Sequence, residues 1–92
     1  MIVLATLALL ALIPKAHALS RCGDRADIVK RLTDTYQERL RGRGIQADGQ
    51  LFEVLVSEKG TWSAIVTAPR GPTCVVSVGE NWQFIKDKGE SL

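Results

Sequence analysis

Three runs rich in β-branched and aromatic residues occupy 51–57 (LFEVLVS), 61–68 (TWSAIVTA) and 73–79 (TCVVSVG), and only three or four residues separate each from the next. That spacing constrains the fold more than anything else in the chain. A parallel crossover needs a dozen or more residues, so connections this short force neighbouring antiparallel strands. Glu58-Lys59-Gly60 reads as a hairpin loop with glycine at the left-handed position, and Pro69-Arg70-Gly71-Pro72 as the second turn. The expected unit is a three-stranded antiparallel meander.

Parity sets the expected register. If Ser57 faces Thr61, Val56 pairs with Trp62, Val54 with Ala64 and Phe52 with Val66; if Thr67 faces Thr73, Val66 pairs with Cys74, Ala64 with Val76 and Trp62 with Val78. Every even-numbered position then shares one wholly apolar face. The odd face is mixed: Glu53, Ser63, Thr67, Thr73 and Ser77 are polar, while Leu55, Ile65 and Val75 form one apolar patch across the strands.

Upstream, residues 24–41 read as one amphipathic helix. Ile28, Val29, Leu32, Tyr36 and Leu40 recur at spacings of three and four, Asp24 suits the N-cap, and Gly42 and Gly44 follow as stops. Residues 44–50 are then a connector with a turn at Asp48-Gly49. The helix is expected to cover the even face. The end of the chain, Trp82-Gln83-Phe84-Ile85, is expected to fold over Leu55, Ile65 and Val75, with a dimer or partner surface there as the alternative. Residues 86–92 read as a flexible polar tail.

Residues 1–18 (MIVLATLALLALIPKAHA) resemble a secretory signal: an uncharged apolar run from Ile2 to Ile13, then Pro14, then small residues at Ala16 and Ala18 flanking His17. Lys15 ends the run well short of the roughly 20 apolar residues a bilayer span requires. No Lys or Arg precedes the run, which departs from the usual pattern. Cleavage is expected after Ala18, giving a periplasmic or secreted domain over 19–85. Arg21, directly before Cys22, stands where a lipidation signal needs a small residue.

Export bears on the chemistry. Of twelve basic and ten acidic residues only Lys15 lies in the first eighteen, so the remainder is nearly neutral and offers no bulk attraction for nucleic acid or anionic membrane. The sole histidine, His17, leaves with the signal, which excludes Ser–His and Cys–His nucleophile pairs. Two cysteines without histidine fall short of zinc's four ligands, so no metal or cofactor is expected. In an oxidising compartment Cys22 and Cys74 can pair in only one way, and closing that loop stabilises by about 4 kcal/mol. Glu53, Glu58 and Glu80 are candidates for paired-carboxylate chemistry, but nothing around them in sequence desolvates them. All three are expected on solvated surface, and no enzymatic activity is expected.

The order of a signal, a cysteine just before a helix, and then Gly60-Thr61-Trp62, Gly71-Pro72-Thr73-Cys74 and Gly79-Glu80-Asn81-Trp82 resembles a group of short exported proteobacterial proteins of no assigned function. The resemblance spans residues 22–82 and implies an exported, disulfide-stapled α+β domain; it brings no site residues. The resulting expectation is a two-layer α+β fold: one helix on a three-stranded antiparallel meander, with a Cys22–Cys74 disulfide. Its expected function is a non-enzymatic binding or accessory module of the cell envelope. The expected binding residues are Leu55, Ile65, Val75 and Trp82, and the expected partner an envelope protein or a second copy, with no nucleic acid. The alternative is a secreted hydrolase inhibitor presenting Arg70 on the 69–72 hairpin.

Overall fold

The computed structural model describes residues 21–86; the segment 1–18 expected to be a signal, its expected cleavage site and the tail beyond Lys86 lie outside the described residues. The chain forms one helix and a five-stranded antiparallel sheet in the order β1-β5-β4-β3-β2. The elements are β1 (Cys22–Gly23), α1 (Arg25–Tyr36), β2 (Arg39–Ile45), β3 (Leu51–Val56), β4 (Trp62–Thr67) and β5 (Thr73–Gly79).

The meander forms over the expected runs, but two strands flank it that were not anticipated. β2 occupies the stretch assigned to the helix end and its connector. Gln37 takes a left-handed conformation (φ 57°); its backbone N–H donates to the Thr33 carbonyl and the Glu38 N–H to the Leu32 carbonyl, which ends the helix five residues early. Arg39-Leu40-Arg41-Gly42-Arg43-Gly44-Ile45 then forms an edge strand whose alternation is interrupted by a bulge between Leu40 and Gly42, and Gly49 (φ 89°) turns the hairpin into β3. β1 is two residues long and pairs Cys22 with Cys74. Asp24 caps the helix by accepting from the Ala26 N–H at 3.2 Å.

The β3–β4 register is the expected one: Phe52 with Val66, Val54 with Ala64, Val56 with Trp62. Between β4 and β5, Val66–Cys74 and Ile65–Val75 also pair as expected. A bulge at Val76 then shifts the ladder, so Ala64 meets Ser77 and Trp62 meets Gly79, rather than Val76 and Val78. Trp62 lies flat on Gly79; a Cβ there would stand 2.7 Å from the indole ring.

The helix covers the opposite face from the one expected. Ile28 and Leu32 pack on Leu55 and Ile65, with Val29 and Val75 completing the cluster, and Leu55 and Ile65 are wholly buried. The odd face is therefore the core, and the even, apolar face is left without a helix. Tyr36 and Leu40, expected in the helix stripe, are largely exposed, Leu40 on the edge strand.

Candidate functional site: an open apolar sheet face

On the helix side, Glu53 is fully buried at the centre of an ion cluster. Arg25 donates through Nε to Oε1 at 2.8 Å and through Nη2 to Oε2 at 2.6 Å, a two-pronged contact from the first helical turn. Arg43 of β2 donates to Oε2 at 2.8 Å. The hydrogen bonds from Arg25 hold the carboxyl below the usual carboxylate range against the opposing effect of burial, and those from Arg43 add to them. This corrects the expectation that Glu53 is solvated: two arginines compensate the charge that burial would otherwise penalise. The cluster ties α1, β3 and β2 together. Both carboxylate oxygens are engaged, so Glu53 is poorly suited to act as a base. Glu58 and Glu80 are exposed.

Elsewhere on this face Thr67 and Thr73 share a hydroxyl–hydroxyl bond of 2.6 Å that satisfies the fully buried Thr73. Glu38, just past the helix, is 2% exposed; its backbone carbonyl accepts from the Thr33 hydroxyl at 2.9 Å, while Oε1 has no hydrogen-bond partner. Leu55, Ile65 and Val75, anticipated as a binding patch, are instead part of the hydrophobic core. A helix carrying Ile28 and Leu32 occupies the space a partner would need.

The other face is where surface chemistry gathers. Two shallow open depressions of about 440 Å³ each lie on it and meet at Phe52. The first is lined by Phe52, Val66, Cys74 and Val76, with Gln46 and Gln50 at one end. The second has Gly42 and Gly44 of β2 as its floor, Phe52 and Val54 on one side, and Trp82 and Phe84 on the other. A Cβ on either glycine would touch nothing within 4 Å, so the floor is open.

The chain end folds onto this face, opposite to the expected one. The Trp82 backbone N–H donates to the Gly60 carbonyl at 2.9 Å, which anchors the arm at the β3–β4 hairpin. Gly60 (φ 97°) sits in the left-handed turn the sequence called for. From this anchor runs an aromatic row: Trp62 to Trp82 at 5.8 Å between centroids, Trp82 to Phe84 at 6.2 Å, and the Arg41 guanidinium 5.4 Å above the Phe84 ring. The Trp82 Nε1 is buried without a hydrogen-bond partner. Of the four residues anticipated for binding, only Trp82 belongs to this face.

The disulfide forms as expected, with a sequence separation of 52. Its placement differs: Cys74 shares a face with Val66 and lines the first depression, so the bond bridges β1 and β5 on the open face instead of reaching into the helix layer.

Among the described residues no helix is long and apolar enough to cross a membrane, and no group of three or more His, Cys, Asp or Glu side chains is placed to hold a metal ion. Comparison of the chain with protein-family models, with curated proteins and with solved structures finds no match.

Proposed function

We propose that the protein is a non-enzymatic binding or accessory module of the bacterial cell envelope, exported and oxidised, which engages its partner through the sheet face opposite the helix. The observation that carries this reading is that face itself: Phe52, Val54, Val66 and Val76, on three adjacent strands, lie outside the helix-covered core, with Val76 49% exposed and Phe84 of the arm beside them 61% exposed. The cross-strand disulfide within this face and the Glu53 cluster behind it stiffen the scaffold, which lowers the ordering cost of association.

The test is to follow backbone amide shifts of the labelled protein as envelope and periplasmic fractions are added. Shifts confined to Phe52, Val54, Val66, Val76 and the 82–84 arm are expected. Shifts nowhere, or only on the helix, contradict the reading.

A second reading has its own observation. In the 69–72 turn, Arg70 is exposed and left-handed (φ 58°), a conformation that costs an L-residue about 1–2 kcal/mol. Gly71 N–H donates to the Ala68 carbonyl at 2.9 Å, and Ala68 N–H donates to the Pro72 carbonyl at 3.2 Å. A stiff loop presenting a cationic tip is the form a secreted hydrolase inhibitor would take. Assays against envelope hydrolases decide it: inhibition lost in Arg70→Ala supports it, and no inhibition by the unaltered protein ends it.

A further inference from the structure

The two faces of the sheet differ in how their charges are balanced. On the helix side acids and bases offset one another: Asp24, Asp27 and Asp34 lie with Arg25, Lys30 and Arg31, and the buried Glu53 with Arg25 and Arg43. The strand register assigns no carboxylate to the open face: its positions are apolar, glycine, serine or cysteine, with Arg39 opposite Val56 and Arg41 bulged beside it. Among the described residues neither arginine makes an ion pair, and Arg41 spends its charge on the Phe84 ring. Beside that ring the arm projects Ile85, 86% exposed, followed by Lys86. Apolar side chains standing proud of a flat apolar face, edged by unneutralised cations, match the chemistry of an anionic bilayer interface.

Three alternatives fit less well. A small ligand is normally enclosed over most of its surface, whereas both depressions are open. A strand added at the β2 edge would meet a bulge between Leu40 and Gly42 and a row of arginines, two devices that discourage edge pairing. A second copy packed face to face would bring Arg39 and Arg41 against a face with no carboxylate to receive them.

We propose that the open face, through Phe84, Ile85, Val76 and Arg41, docks on the surface of an anionic lipid bilayer. The proposal rests on the binding-module reading above and names its partner.

The experiment is co-sedimentation of the oxidised exported protein with vesicles of equal parts phosphatidylglycerol and phosphatidylethanolamine, and with phosphatidylcholine vesicles. Binding to the anionic vesicles is expected, weakened by salt and weak on phosphatidylcholine. Phe84→Asp should lower the partition coefficient more than tenfold, and Arg41→Glu at least fivefold. Ile45→Asp, a substitution at a 71% exposed position whose partner Leu51 belongs to the other face, should leave binding unchanged. Thermal melts of all three should match the parent. Absence of binding, equal binding by every variant, or a face-to-face dimer in sedimentation equilibrium overturns the proposal. If lipid-free periplasmic protein shifts the open-face amides while vesicles do not bind, the lipid surface is wrong and the binding module stands. If neither perturbs the face, both fall.

Discussion

The two faces of this sheet divide apolar area and cover unequally. The helix side buries two aliphatic residues from α1 on two from the sheet, and it accepts buried polar groups, Glu53 and Thr73, that need partners. The other side offers Phe52, Val54, Val66 and Val76 and receives only a short aromatic arm. Apolar count therefore does not decide which face a helix takes. Topology does. Strands β1 and β2 lie at opposite edges of a sheet whose neighbours are all antiparallel, so they run parallel to each other, and α1 is the crossover between them. Such crossovers are right-handed in about 98% of cases, which allows the helix only one of the two faces. Arg25 then makes that face habitable by bringing its guanidinium to Glu53.

The largest expected effect concerns the bond that ties β1, the start of that crossover, to the sheet. Reduction, or Cys22→Ser with Cys74→Ser, should cost about 4 kcal/mol, read as a lowered urea midpoint. Because β1 is only two residues long, strand pairing without the bond should not replace it.

Next come paired truncations, one on each face. Leu55→Ala or Ile65→Ala should destabilise by about 3 kcal/mol, since both are fully buried under the helix. Val76→Ser and Phe84→Ala, on the open face, should stay within about 0.5 kcal/mol. Equal costs on the two faces would show that the open face is also core.

These contrasts mark what the chain's residues made legible. The three central strands, the β3–β4 register, the Gly60 turn and the cysteine pairing all follow from local chemistry and parity. The helix face did not follow, because it depends on β1 and β2. A two-residue strand carries no periodic signal. Leu40 continues the helical spacing and hides the alternation of Arg39 to Ile45, and a left-handed Gln37 is not a residue type that announces a helix end. The burial of Glu53 was missed for the same reason: its partners Arg25 and Arg43 are 28 and 10 residues away and meet it only once the crossover is in place.

Glu53 supplies the smaller, pH-dependent contrast. Its folded-state carboxyl titrates below the usual range, so it stabilises the fold above its unfolded value near 4.3, and that contribution is lost as pH falls through the lower folded value. Glu53→Gln should cost about 2 kcal/mol at neutral pH, and its urea midpoint should fall less than the parent's between pH 5 and pH 2. Smaller still, Gly79→Ala should cost about 1–2 kcal/mol by displacing Trp62 and should quench or shift the indole fluorescence.

The assignment of the helix to the Leu55 and Ile65 face is most directly tested by methyl nuclear Overhauser effects in the oxidised protein. Cross-peaks from Ile28 and Leu32 methyls to Leu55 and Ile65, with none to Val54, Val66 or Val76, are expected. Cross-peaks from those helix methyls to Val54 or Val66 would put the helix on the apolar face and contradict the account.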